Sequence, residues 1–216
     1  MQFLNSLYYP FSNPPLPYSY QALEPYIDAK TMELHHNRHL QTYIDNLNLV
    51  LADAPAYQAL SLDQLLENLE TLPADIRTKV KNNAGGVYNH IFFFNGMKNP
   101  STNLPEHALI AYIKNAFGSF EAFQSAFTKA ALSVFGSGYA WLVLDALGRL
   151  QIITTSGQDT PLADRLCPVL NLDVWEHAYY LKHYNDRAAY IKDWFHVINW
   201  PAANRRLTNC LFTGLA

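Results

Sequence analysis

Residues 173–180, with the sequence DVWEHAYY, constrain this chain more than any other stretch. Asp173 and His177 stand four residues apart, so on a helix, or where a strand enters a helix, both side chains can converge on one point. An aspartate oxygen and a neutral histidine nitrogen together suit a first-row metal such as Mn, Fe or Zn. The same spacing is also typical of a salt bridge or a helix cap, so the metal interpretation depends on whether other histidines can complete a site.

The composition predicts a folded, globular protein, because 50% of the 216 residues are hydrophobic and only 15% are charged. The net charge is −3 and no lysine or arginine block exceeds two residues, so we expect neither nucleic-acid binding nor a polybasic membrane surface. No apolar run approaches a membrane span, and the N-terminus lacks the features of a signal peptide. Cys167 and Cys210 could pair, although a chain of this size does not need a disulfide. The default expectation is the reducing cytoplasm.

The first half of the sequence predicts an extended arm followed by helices. Five prolines between residues 9 and 26 favour an arm on the surface, after which Asp28 offers a helix cap. Hydrophobic periodicity then predicts helices over residues 31–52, 61–71 and 75–95.

Four residues of the first predicted helix follow one another at i, i+4 spacing and should share one face: His35, His39, Tyr43 and Leu47. That face mixes metal-binding and proton-carrying groups with core residues, which a helix used only for packing would not need. A histidine on an apolar face is nevertheless more often a hydrogen-bonded core residue than a ligand. The spacing does not choose between His35 and His39.

Gly86 and His90 stand one turn apart on the third predicted helix. A glycine within a helix costs about 1 kcal/mol relative to alanine, so its presence indicates a crowded neighbour. That neighbour is either a metal centre beside His90 or another closely packed helix, and the sequence leaves both open. The remaining histidines stand in polar settings or off the face just described, which leaves four as candidate partners of the aspartate: His35, His39, His90 and His177.

The second half mixes helices with strands. A linker over residues 97–105 precedes helices predicted at 105–116 and 119–132, the latter with Ser119 as its cap. Runs rich in β-branched and aromatic residues then predict strands at 139–145, 149–155 and 168–173, of which the first two form a hairpin. Helices predicted at 186–200 and 201–208 close the chain. The fold class is therefore α+β.

Taken together, these motifs resemble the iron/manganese superoxide dismutase family from about Tyr9 to about Trp200. The matching stretches are residues 15–25 (PLPYSYQALEP), 35–43 (HHNRHLQTY), 89–90 (NH), 117–120 (FGSF), 135–138 (FGSG) and 173–180 (DVWEHAYY). The resemblance implies an N-terminal helical hairpin domain, at residues 1–98 with the arm, and a C-terminal domain of helices around a three-stranded antiparallel sheet, at residues 99–216.

The resemblance also implies a site and a reaction. Its metal ligands would be His35, His90, Asp173 and His177, while His39 and Tyr43 would lie beside the substrate channel and not on the metal. The reaction would convert superoxide to dioxygen and hydrogen peroxide by one-electron cycling of a single Mn or Fe centre. In the manganese type a glycine stands at the Gly86 position and a glutamine, here Gln158, bonds metal-bound solvent, so manganese is preferred and iron is the alternative.

Four further residues match family positions with assigned roles. Trp175 would wall the metal site, and Glu176 and Tyr180 would reach a second subunit in a homodimer, with a tetramer as the larger alternative. Ordinary core hydrogen bonding is the alternative explanation for Glu176 and Tyr180. Arg187 would lie near the channel mouth and steer the anionic substrate, unless it forms a structural ion pair.

The chain departs from the family pattern without losing a ligand, at Tyr139 and Phe94 where tryptophan is usual, and at Asn37 and Leu40 beside the first ligand. Two other functions stay open on the sequence alone. One is a non-haem iron oxygenase, which uses two histidines and a carboxylate. The other is a catalytically weak metal-binding paralogue.

Overall fold

A computed structural model describes residues 7–100, 104–105 and 107–213. The first predicted helix begins two residues earlier than expected, as α1 (Ala29–Leu34), because the Asp28 side chain accepts a hydrogen bond from the Thr31 amide at 2.8 Å. It continues through a π-helical turn (His35–Leu40) into α2 (Gln41–Ala52). The sequence predicted the length of this helix but not its π turn.

Two further helices complete the N-terminal part. Helix α3 (Leu62–Glu67) begins with a capping box, in which Ser61 and Gln64 satisfy each other's main-chain amides. Helix α4 (Ala74–Asn95) is buried almost continuously from Ala84 to Phe94 and packs against α2, α3 and the sheet. The position of α4 agrees with the prediction, whereas α3 ends at Glu67, before the expected end near residue 71, and a 3₁₀ turn (Leu69–Thr71) follows it.

The second half begins with α5 (His107–Phe117) and α6 (Phe120–Ser133), and the Ser119 hydroxyl caps α6 by accepting from the Ala122 amide. Three antiparallel strands follow in the spatial order β2–β1–β3: β1 (Gly138–Leu144), β2 (Leu150–Ser156) and β3 (Cys167–Asp173). Both β1 and β3 are buried along their whole length. Tyr139 at the start of β1 pairs with Asp173 at the end of β3.

The closing helices differ from the prediction of one helix over residues 186–200. The chain forms α7 (Tyr180–His183) and α8 (Arg187–Trp194), then leaves helical structure so that Ile198 can pair with Met97. Asn199 starts α9 (Trp200–Thr213) by accepting a hydrogen bond from the Ala202 amide, so this helix runs beyond the expected end at residue 208.

The predicted fold class is confirmed: a helical N-terminal part joins a C-terminal part of helices around a three-stranded antiparallel sheet. Short 3₁₀ turns connect these elements at Tyr20–Leu23, Pro55–Tyr57, Leu69–Thr71, Pro161–Asp164 and Glu176–Ala178. Part of the predicted linker, residues 101–103, lies outside the described residues. Within the described part of the chain, every helix is too short or too polar to cross a membrane.

Candidate metal centre

Four side chains from four different elements meet at the junction of the two halves. His35 begins the π turn, His90 lies in α4, Asp173 ends β3, and His177 lies in the following 3₁₀ turn. The Nε2 atoms of His35, His177 and His90 lie 3.2, 3.4 and 3.9 Å from Asp173 Oδ2. One ligand-type atom from each of the four residues falls within 4.8 Å of all the others.

These four atoms have no hydrogen-bond partner among the described residues, although all are buried: Nε2 of His35, His90 and His177, and Oδ2 of Asp173. Buried polar atoms in native proteins are nearly always satisfied, so four such atoms aimed at one another need an explanation. Three imidazole nitrogens and one carboxylate oxygen are a donor set that first-row metals accept. The residues therefore fit a bound metal ion.

The other atoms of these side chains are held in place. His90 Nδ1 lies 2.6 Å from the Gly86 carbonyl, which leaves Nε2 free for the centre. Asp173 Oδ1 accepts a hydrogen bond from the Trp175 amide at 2.8 Å, and the Asp173 main-chain carbonyl accepts one from the Tyr190 hydroxyl. Such contacts fix the orientation of a ligand and are as much a part of a metal site as the ligands themselves.

Burial and the neighbouring side chains together set the protonation states that metal binding requires. Burial lowers the pKa of His35 to about 4 and that of His90 well below the usual value, so both rings are neutral at pH 7. Burial alone would raise the pKa of Asp173, but His177 and His35 outweigh it and hold this pKa below its usual range. Neutral imidazoles and an ionised carboxylate are the forms that bind metals.

The π turn brings two histidines of one helix to the centre. The His35 ring centroid lies 4.6 Å from that of His177, and the His39 ring stacks on the same His177 at 4.1 Å. A π turn widens the helix locally and is often found at functional sites. His39 supplies no atom to the group of four converging ligand atoms, and its role beside a substrate channel stays a prediction.

Gly86 makes room for the Tyr43 ring. A Cβ atom on Gly86 would overlap that ring, so the crowded neighbour inferred from sequence is a side chain of the adjacent helix and not the centre itself. Gln158 donates a hydrogen bond from Nε2 to the Tyr43 hydroxyl at 3.0 Å, and its Oε1 accepts one from Asn89 at 3.1 Å. Sequence reasoning missed Asn89, whose only signal was its place next to His90.

The remaining predicted residues surround His177. The Trp175 ring stacks on His177 with centroids 5.4 Å apart, and its indole N–H donates to the Gly157 carbonyl. Glu176 and Tyr180 are exposed, so core hydrogen bonding does not account for them.

Arg187 holds a loop in place. Its guanidinium donates hydrogen bonds to the Val134 and Gly136 carbonyls and to the Tyr179 hydroxyl. Within the described residues it forms no ion pair, so the alternative of a structural ion pair does not describe it.

Comparison with known proteins agrees with the fold. Residues 10–98 match the alpha-hairpin domain of iron/manganese superoxide dismutases, and residues 105–206 match their C-terminal domain. A manganese superoxide dismutase of Pseudomonas aeruginosa is 48% identical over 94% of this chain and 99% of its own length. A manganese superoxide dismutase from Leptolyngbya boryana is 50% identical over 89% of this chain and 78% of its own length. One from Thermus aquaticus is 45% identical over 90% of this chain and 96% of its own length. The chain therefore belongs to the iron/manganese superoxide dismutase family.

Proposed function

We propose that this protein is a superoxide dismutase that uses manganese, with iron as the alternative, bound by His35, His90, Asp173 and His177. The observation that carries the proposal is the convergence, within 4.8 Å of one another, of four ligand atoms that have no hydrogen-bond partner in the described part of the chain. Four protein ligands also distinguish this centre from the two-histidine, one-carboxylate site of non-haem iron oxygenases. The manganese enzymes named above, each at least 45% identical, support the choice of metal.

The bound metal would supply one-electron exchange, by which one superoxide is oxidised to dioxygen and another is reduced to hydrogen peroxide. Zinc does not suit this reaction, because it has no redox chemistry. The ligand set carries a single negative charge on Asp173, so it leaves most of the charge of a divalent or trivalent cation uncompensated. That excess positive charge would attract a small anion such as superoxide.

Tyr43, His39 and Gln158 would handle the protons that formation of hydrogen peroxide consumes. Burial raises the pKa of Tyr43, although the hydrogen bond from Gln158 opposes this, so the phenol keeps its proton at neutral pH. His39 is half-buried and stacks on His177, so it contacts both the centre and solvent. These two groups can hold and pass a proton to a substrate at the centre.

Metal loading tests the function as a whole. The purified protein would be analysed for bound Mn and Fe and then reloaded with each metal separately. We expect superoxide-dependent activity with manganese, and less or none with iron. A fully manganese-loaded protein that does not accelerate superoxide loss would overturn the assignment and leave the metal-binding paralogue.

Substituting Tyr43→Phe is expected to reduce turnover about 10- to 100-fold, the usual range for losing an outer contact of a metal site, here the hydrogen bond with Gln158. Manganese content should stay unchanged, because Tyr43 supplies none of the four converging atoms. Tyr26→Phe is the matched control, since the Tyr26 ring stacks on His196 away from the centre. An equal loss of metal and activity in Tyr43→Phe would contradict the proton role.

Glu176 and Tyr180 support a homodimer, with a tetramer as the alternative. Both are exposed although they flank a candidate ligand, and Tyr180 is 47% exposed. Phe135 and Tyr184 are also exposed, at 100% and 64%, and exposed apolar side chains that form a patch can mark a protein–protein interface. Sedimentation should give about twice the chain mass of 24.6 kDa, and a monomer would refute the dimer.

The substrate-steering role of Arg187, the division of the chain near residue 98 and the cytoplasmic location also remain proposals. The Arg187 guanidinium is tied to main-chain carbonyls, but its full positive charge still contributes to the local potential. Arg187→Gln should lower the apparent rate constant most at low ionic strength, where charge steering is strongest.

A further inference from the structure

Tyr139 is a fully buried tyrosine whose hydroxyl has no hydrogen-bond partner among the described residues. Leaving a buried hydroxyl unsatisfied is costly, so its position calls for a functional or structural reason. Residue 139 is the strand partner of Asp173, and directly paired residues point their side chains to the same face of the sheet. The Tyr139 ring also lies against His90, with centroids 6.4 Å apart.

We propose that Tyr139 is a positioning residue of the metal centre, whose hydroxyl donates a hydrogen bond to the Asp173 carboxylate and accepts one from the Gln158 amide. The inference rests on the proposed function, because it gives Asp173 the role of a metal ligand. It would join two groups that are otherwise separate: the Tyr43–Gln158 pair and the ligand Asp173.

Both partners have capacity for this bond. The Gln158 amide carries two N–H donors, of which one is used by Tyr43. The Asp173 carboxylate has accepting capacity for about four donors, and the Trp175 amide is the hydrogen bond that it receives within the described chain. A tyrosine hydroxyl supplies one donor and accepts as well, so it can satisfy both groups at once.

The charge around Tyr139 supports the same arrangement. Burial raises the pKa of Tyr139 well above its usual value, and the Asp173 charge raises it further. The phenol is therefore neutral and has a proton to donate, and an ionised carboxylate can only accept.

A hydrogen bond to Asp173 would change the metal's redox balance. A donor draws negative charge from the carboxylate and makes it a weaker ligand, and outer contacts of this kind tune the metal they surround. The more highly charged oxidation state gains most from a strongly donating carboxylate. Loss of the Tyr139 hydroxyl should therefore favour the trivalent state over the divalent one.

The test compares the midpoint potentials of manganese-loaded wild type, Tyr139→Phe and Tyr88→Phe. We expect Tyr139→Phe to raise the trivalent-to-divalent ratio at a given applied potential about tenfold, equal to a fall of about 59 mV for a one-electron couple. Tyr88→Phe is the matched control, because this buried tyrosine stacks on Phe92, with ring centroids 5.8 Å apart, and supplies no atom to the group of four. Its potential should match wild type. A folded, metal-replete Tyr139→Phe with the wild-type potential overturns the proposal.

A crystal structure of the metal-loaded wild type provides a second readout that needs no variant. The Tyr139 hydroxyl should lie about 2.5–3.0 Å from an Asp173 carboxylate oxygen, and a hydroxyl that contacts only apolar side chains overturns the proposal. Neither measurement depends on turnover. An inactive enzyme would thus refute the proposed function alone, and an unaltered potential in an active enzyme would refute the role of Tyr139 alone.

Discussion

Replacing Asp173 with asparagine is expected to remove metal and activity together, each by more than about 100-fold, the upper range for losing a group that only supports a ligand. Asp173 Oδ2 is the one negatively charged atom in the group of four, and it lies within 3.9 Å of all three histidine nitrogens. An amide of the same shape keeps the volume but removes the charge that offsets the cation. Elemental analysis and a superoxide assay on the same sample measure both effects.

Asp193→Asn is the matched control for this substitution. Asp193 contacts a histidine, His183, at 2.9 Å, but supplies no atom to the group of four. The Asp193→Asn substitution alters an aspartate–histidine contact, as Asp173→Asn does, and should leave metal content unchanged. If Asp173→Asn folds and still binds manganese stoichiometrically, Asp173 is not a ligand. If Asp173→Asn does not fold, metal content is measured in His177→Gln instead. The His177 side chain is 12% exposed, so this substitution disturbs the core less.

Local sequence patterns predicted most of the elements because each boundary is set by neighbouring residues. The Asp28 and Ser119 side chains cap helices that begin at the next residue. Gly148 lies in the turn between the two strands that flank it in sequence. The end of α8 could not be predicted in this way. It depends on the pairing of Ile198 with Met97, which are about 100 residues apart in the chain.

The candidate site shows the same division between local and long-range information. The four converging residues were predicted through a family resemblance, whereas spacing alone left His35 and His39 equivalent. A π turn brings the His35 and His39 rings to His177, and the hydrophobic periodicity of the sequence does not indicate this turn. The occupant of the space beside Gly86 is the Tyr43 ring, and only the packing of α2 against α4 reveals it.

Reducing the disulfide between Cys167 and Cys210 is expected to lower the free energy of unfolding by roughly 2–4 kcal/mol. The bond joins the start of β3 to α9 across a sequence separation of 43 residues, so cutting it releases a long loop in the unfolded chain. For a chain of this size the melting temperature should fall by roughly 4–16 °C. Calorimetry of oxidised and reduced protein, at one protein concentration and with full metal loading, measures the change.

Metal content and activity should survive this reduction, because Asp173 lies at the opposite end of β3 from Cys167 and is held there by Tyr190 and Trp175. The double variant Cys167→Ala/Cys210→Ala is the control: it should melt like reduced wild type and not respond to reductant. Equal melting temperatures of oxidised and reduced wild type would show that the bond contributes nothing to stability.

Counting thiols in protein quenched with acid directly from cells also tests the cytoplasmic proposal, since disulfides rarely persist in a reducing compartment. Two free thiols per chain would support the cytoplasm, and none would place the working enzyme in an oxidising one.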